Sequence, residues 1–367
     1  MTPRERLLVT IRGGKADRVP LALEHFHCAS PENFTDPGRR EIAERIYRQM
    51  THAISTTTGL NRYLVTHPRH IRQVRRDRQS GNILVTSEIH TPKGPLTAVV
   101  AFNELTDTEW TIKYPVESLP DIDKIRSCPW DVPPNATPPD LSSPPDWFAD
   151  RGIALLSLSS PMVCVAGMMP REMFLELCVT DLPLLEELTD VCMGRTLRTM
   201  DVVLTERNVD YVWMGGCEWV TPPLASPRVY EALVQPFEQP IIERAHAAGA
   251  VVHVHCHGNI RSTLELVIQR GADFLEPCEP PPDGDITFAK AKALAAGRIT
   301  LGGNLEARVL ELENVDCVER ACRTAFEGSR ERMVFQTTAG PYSKMSPRMV
   351  TNYHKLIDVW EELSPIP

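Results

Sequence analysis

The chain has 367 residues, 42% of them hydrophobic and 24% charged, with a formal net charge of −9. That length and composition supply one large α/β core or two ordinary ones. The acidic balance argues against a nucleic-acid footprint or attraction to an anionic membrane surface, and no run reaches the roughly 18 apolar residues of a membrane span.

The start, Met1-Thr2-Pro3-Arg4-Glu5-Arg6, has no apolar stretch of the signal-peptide kind, and the 10 cysteines show no CxxC pairing. Free thiols in a cytoplasmic protein are the expectation. Thr2, Pro3 and Glu5 are spaced as a capping box with proline at the first helical position, which predicts a short helix over 2–13 stopped by Gly13-Gly14. Residues 19–26 read as a first strand with Glu24, His25 and His27 at its C-terminal end. Residues 39–56 read as an amphipathic helix with Ile42, Ile46, Met50 and Ile54 on one side, and 60–65 as a second short apolar strand.

The rhythm changes over 70–115. Segments 81–86, 96–100 and 110–114 alternate like strands, the first two separated by Thr91-Pro92-Lys93-Gly94, and predict an antiparallel β-excursion. Arg69, Arg72, Arg75, Arg76 and Arg78 precede it and read as a solvated basic face, or alternatively as a grip on a phosphate or carboxylate. A Pro-rich loop follows over 129–146. From 152 onward, strands at 152–158, 210–214, 250–256, 273–277, 298–301 and 332–337 alternate with helical runs near 181–207, 227–248, 260–270, 286–296 and 306–328, and a helix over 346–363 closes the chain. With the two early strands this makes eight βα units. They predict an α/β fold, a (β/α)8 TIM-type barrel, as a single domain over 1–367 with the excursion inserted at about 70–115. An open doubly wound sheet is the rival, but no GxGxxG follows the first strand.

The chemistry-bearing stretch is Val251-Val252-His253-Val254-His255-Cys256-His257-Gly258. Strand alternation puts His253, His255 and His257 on one face, with Gly258 ending the strand and Asn259 capping a helix that starts near Ile260. These are either satisfied core histidines or, for His255 and His257, metal ligands. Other polar residues collect at the remaining predicted strand ends: Glu24 and His25, Glu218 after Gly215-Gly216, Glu276, Cys278 and Glu279, Asn304 after Gly302-Gly303, and Tyr342. One or two of Glu218, Glu276 and Cys278, the last two sharing a face in an extended segment, would complete a mixed N/O or N/S set with an open position, which suits catalytic zinc. Glu24, His25 and Tyr342 are the candidate catalytic groups, and Asn304 is either a substrate contact or a helix cap.

Taken in order, several motifs resemble the uroporphyrinogen decarboxylase superfamily. They are Thr2-Pro3-Arg4-Glu5-Arg6, Lys15-Ala16-Asp17-Arg18-Val19-Pro20, Thr91-Pro92-Lys93-Gly94-Pro95-Leu96, Tyr114-Pro115-Val116 with Leu119-Pro120-Asp121-Ile122-Asp123, Ser226-Pro227-Arg228-Val229-Tyr230, His255-Cys256-His257-Gly258 and Gly302-Gly303-Asn304-Leu305. The resemblance implies the same (β/α)8 barrel. It also implies one of two activities, metal-free decarboxylation of a tetrapyrrole or zinc-dependent methyl transfer between a corrinoid protein and a thiol. The decarboxylase's arginine-rich segment is matched here by Leu23-Glu24-His25-Phe26-His27-Cys28-Ala29-Ser30, without arginine. The methyltransferase motif His-x-Cys-Gly is matched by His255-Cys256-His257-Gly258, with His257 in the cysteine's place, and no cysteine stands in Gln336-Thr337-Thr338-Ala339-Gly340. The resemblance therefore implies a zinc-dependent methyltransferase-like enzyme acting on a small molecule. Its corrinoid would come on a partner protein, because the chain has no DxHxxG motif. The alternatives are a metal-free decarboxylase for a smaller carboxylated substrate and a non-catalytic subunit that docks a corrinoid protein.

Overall fold

The computed structural model describes residues 1–61, 63–103, 108–205 and 208–367. Its strands in chain order are β1 (Leu21–Ala22), β2 (His52–Ser55), β3 (Ile71–Gln79), β4 (Asn82–Ile89), β5 (Leu96–Asn103), β6 (Thr108–Lys113), β7 (Gly152–Ser159), β8 (Tyr211–Gly215), β9 (Val251–His255), β10 (Phe274–Glu276), β11 (Thr300–Leu305) and β12 (Met333–Thr337). Eight of them form one parallel sheet in the order β1-β12-β11-β10-β9-β8-β7-β2, and β3 to β6 form a separate antiparallel sheet. The parallel strands follow chain order around a curled sheet, the arrangement of TIM-like folds, with helices in the connections.

The two end strands, β1 and β2, share no ladder among the described residues. Side chains bridge the seam between their chain ends instead. His27 Nδ1 bonds the carbonyl of Thr51 at 2.9 Å, and His52 Nδ1 accepts the Cys28 amide at 3.1 Å. Just beyond β1, the amide of Leu23 faces Met50 Sδ at 3.5 Å rather than a strand carbonyl.

Helix α1 (Pro3–Ile11) carries the expected capping box: the Thr2 hydroxyl accepts the Glu5 amide and the Glu5 carboxylate accepts the Thr2 amide. Its Leu7, Leu8 and Ile11 pack with Ile153, Tyr211, Val251, Phe274 and Val334 inside the curled sheet. Because those residues alternate with neighbours that face the outer helices, each strand is buried on both faces. A larger apolar cluster, including Tyr230, Phe174 and Trp360, lies between sheet and helices. Burying each such side chain contributes roughly 1.5–3 kcal/mol against the entropy of ordering it. No helix of the described residues is long and apolar enough to cross a membrane.

Several local expectations are corrected. The 39–56 helix is α2 (Pro37–Ile46), started by the Asp36 carboxylate on the Arg39 amide at 2.9 Å, and it ends before His52–Ser55 enters the sheet as β2. Ile42, Ile46 and Met50 are buried as expected, but Ile54 pairs with Ala154 of β7. The apolar spacing ran on past the helix end, and the parallel ladder overrode it. The strand expected at 60–65 is not one in its described part. Leu64 and Val65 have φ of 51° and 46°, which no strand admits. Position 62 lies outside the described residues, as do 104–107 of the excursion and 206–207 of the 181–207 helix.

The excursion has a fourth strand, since Arg72, Arg75, Arg76 and Arg78 lie in β3 and not before it. That strand is an edge, mostly exposed, so its sequence lacks alternation, and arginines are one way a chain blunts an unpaired edge. The 306–328 helix splits into Ala307–Leu312 and Val315–Ala325, because Asn314 caps the second segment through the Cys317 amide at 3.0 Å. The 260–270 helix begins only at Leu264, so Asn259 does not cap it. Helices Pro161–Ala166 and Arg171–Thr180 were not expected from the sequence.

Candidate active site

β9 lies between β8 and β10, with Gly215, His255 and Glu276 in register across the three strands. Two glycines open space there. A Cβ on Gly215 would sit 2.5 Å from the Trp213 ring, which stands 5.3 Å from His255 between centroids. A Cβ on Gly302 would meet the Cβ of Glu276 at 2.6 Å and the Phe274 ring at 2.8 Å. Both glycines let large side chains lie across the inner wall of the sheet.

A polar chain runs along that wall. The Tyr211 hydroxyl bonds His253 Nδ1 at 2.7 Å. His253 Nε2 lies 2.9 Å from Glu276 Oε1, and the same oxygen accepts Nδ1–H of His255. Glu276 is fully buried, and its Oε2 has no hydrogen-bond partner. Burial alone would raise its carboxyl pKa, but the two imidazoles hold it well below the usual carboxylate range. Burial pushes His255 down, but the charge and hydrogen bond of Glu276 outweigh it and raise the imidazolium to about 9. Tyr211 stays a neutral phenol, pushed well above its ordinary value by burial and the Glu276 charge.

His257 lies just past the end of β9, its ring 4.6 Å from that of His255 and nearly perpendicular to it. Glu279 holds it: one carboxylate oxygen bonds His257 Nδ1 at 2.9 Å and the other accepts the Gly258 amide at 2.8 Å. Glu218 accepts the amide of Gly216 at 3.0 Å, and its charge is the next after that of Glu276 to stabilise the His255 cation. The structure thus brings His255, His257 and Glu276 together, with Glu218 close enough to act on them electrostatically.

The other sequence candidates lie differently. Cys278 is buried in the main apolar cluster, where burial and the charges of Glu276 and Glu279 push its thiol far up. Asn304 does not cap a helix; it lies in β11 and donates from Nδ2 to the Cys278 carbonyl at 2.8 Å. Glu24 accepts a bond from Gln336 Nε2 at 2.7 Å. His25, at φ 64°, packs edge-on against Tyr342 with ring centroids 5.7 Å apart. Sequence reasoning gave no role to Tyr211, Trp213 or Gln336, and it placed His253 on the site face and Glu279 at a strand end without finding their partners. Strand alternation did put His253 on the right face, but no signal in the chain pairs Tyr211 or Glu279 with its histidine across 42 and 22 residues.

The donor set fits a metal in part. Both Nδ1 atoms, of His255 and His257, are committed to carboxylates, the orientation in which metal-binding imidazoles present Nε2. Among the described residues, however, no group of three or more His, Cys, Asp or Glu side chains is arranged to hold a metal ion.

No family model and no curated protein matches the chain. Solved structures do. A methyltransferase from Methanosarcina mazei superposes with a TM-score of 0.60 over 99% of this chain and 99% of its own, at 15% sequence identity. The fold is shared. A B12-independent methionine synthase from Shewanella sp. W3-18-1, in complex with selenomethionine, gives a TM-score of 0.36 at 9% identity, over 80% of this chain and 75% of its own, too low to carry any argument.

Proposed function

We propose that this chain is a methyltransferase-type enzyme of the uroporphyrinogen decarboxylase-like superfamily, with a (β/α)8 barrel holding a small-molecule substrate at the C-terminal strand ends. The observation that carries this reading is the paired imidazoles His255 and His257, each held at Nδ1 by its own carboxylate. They lie at the end of the sheet that bears active sites in TIM-like folds. The end-to-end fold likeness to a methyltransferase supports it.

In its finer form, the proposal gives zinc to Nε2 of His255 and His257. Glu218 or Oε2 of Glu276 would complete the set, whereas Cys278, buried in apolar packing with its thiol pushed far up, would not. Bound there, zinc supplies a Lewis acid that stabilises an anion on the substrate heteroatom. The protein's own groups do the rest. Glu276 and Glu279 fix the two rings, Trp213 packs beside His255, and the hydrogen-bonded Tyr211–His253 pair lies behind the carboxylate. A corrinoid would be carried by a partner protein.

Elemental analysis of protein purified without chelator tests the metal. Stoichiometric zinc that is lost in the His255→Ala/His257→Ala double variant supports it; less than about 0.2 metal per chain overturns it. Methyl transfer from small donors to free cob(I)alamin, followed by absorbance, tests the reaction.

One observation favours a second reading. His255, with a pKa of about 9, is an imidazolium at neutral pH, able to deliver a proton to a carbanion in metal-free decarboxylation. Turnover by fully chelated protein would favour that reading. The acids Glu24 and Glu218, at the strand ends and not fully buried, oppose a polycarboxylate substrate for it.

A further inference from the structure

Within the curled sheet lies a cavity of about 510 Å³, extending from Leu7 of α1 to Trp213 of β8. That volume is in the range that encloses a small organic ligand. Ile153, Leu155, Tyr211, Trp213 and Phe274 give it apolar and aromatic walls. Glu24 is the one carboxylate on the lining, and no lysine or arginine faces it there.

Glu24 is half-buried and bonded to Gln336 Nε2, with no lysine or arginine paired to it among the described residues. A carboxylate on the wall of a largely apolar cavity, with no lysine or arginine beside it, suits a ligand that brings a positive charge. A second observation points the same way. Gln336 also lines the cavity and is 3% exposed; its amide nitrogen is spent on Glu24, and its Oε1 is buried with no donor. An anionic oxygen and an unsatisfied acceptor side by side ask for a positively charged donor of hydrogen bonds. Aromatic faces nearby suit the hydrocarbon part of the same cation, which they shield from water.

We propose that this cavity binds a small organic cation, a protonated amine whose N–H groups meet Glu24 and Gln336 while its hydrocarbon part packs on Trp213 and Phe274. The proposal rests on reading the barrel as a small-molecule enzyme and names its substrate class. It requires neither zinc nor a corrinoid. Glu276 does not compete for the ligand's charge, because it is fully buried and does not line the cavity.

Three probes of one shape decide the matter: phenethylammonium, 2-phenylethanol and phenylacetate, titrated calorimetrically at pH 7 and constant ionic strength. Phenethylammonium is expected to bind about tenfold or more tighter than the alcohol, as one charge-assisted hydrogen bond implies, with phenylacetate weakest. Glu24→Gln, which keeps the size and an acceptor for Gln336, is expected to abolish the preference and leave the alcohol's affinity within about twofold. Equal affinities for cation and alcohol, tightest binding of phenylacetate, no binding of any probe, or an unchanged preference in Glu24→Gln would each overturn the proposal. If Glu24→Gln does not fold, the order of the three affinities in the wild type decides. The two readings fail separately. A cation that binds here while no donor yields its methyl overturns methyl transfer and leaves this proposal standing, and methyl transfer from an anionic donor seated in this cavity does the reverse.

Discussion

Oε1 of Glu276 lies 2.9 Å from Nε2 of His253, yet Nε2 has no aligned hydrogen-bond partner. The contact is one of proximity, while the directional bond of that oxygen goes to His255. One buried carboxylate thus anchors two imidazoles of the same strand, and it keeps a second oxygen, Oε2, unspent. Most of the site's behaviour follows from that arrangement.

Glu276→Gln should drop His255 from about 9 to below its ordinary 6.5, because burial then acts with its principal opposition gone. An NMR titration of the His255 ring in metal-free protein reads this directly. A His255 value still near 9 in the variant would show that Glu218 and Glu24 carry the effect.

The same pair predicts a pH window for the stability of metal-free protein. The folded-state pKa of His255 is raised, so its contribution is complete below 6.5 and is lost as pH rises through about 9. The folded-state pKa of Glu276 is depressed, so its contribution is complete above 4.5 and is lost as pH falls well below that. Denaturant midpoints should therefore show the pair's largest contribution between about 4.5 and 6.5, and His255→Ala should flatten the alkaline fall. An alkaline fall of equal steepness in the variant would contradict this.

Glu279→Gln removes the charged acceptor shared by His257 Nδ1 and the Gly258 amide. Loss of such an orienting carboxylate should weaken zinc binding about 10–100-fold, measured by competition with a chromophoric chelator. Unchanged affinity would mean that His257 is not a ligand.

Gly302→Ala should be felt both at the site and in the fold. The added methyl would meet Glu276 Cβ at 2.6 Å and Phe274 ring carbons at 2.8 Å. Overpacking of this kind costs about 1–3 kcal/mol, and displacing Glu276 should also lower the His255 pKa. Thermal melting together with the NMR titration separates this local effect from general destabilisation.

The sequence by itself determined the βα rhythm from 152 onward, the antiparallel excursion, the capping box at Thr2 and the presentation of His255 at a strand end. Each of these is a local property. Periodicity, caps and alternation act within a few residues, and burial on both faces writes long apolar runs into strands such as β9. Only the tertiary structure decided that His52–Ser55, not 60–65, is the second strand of the sheet, because the ladder to β7 outweighs the helical spacing that runs through Ile54. It alone decided that Glu276 clasps two histidines, that Glu279 orients His257, and that Cys278 faces apolar packing. It also set Glu24 beside Gln336, 312 residues away, across the β1–β12 ladder. Those pairings join side chains that neighbour each other only once the sheet has curled, and no spacing along the chain encodes which strand end will face which.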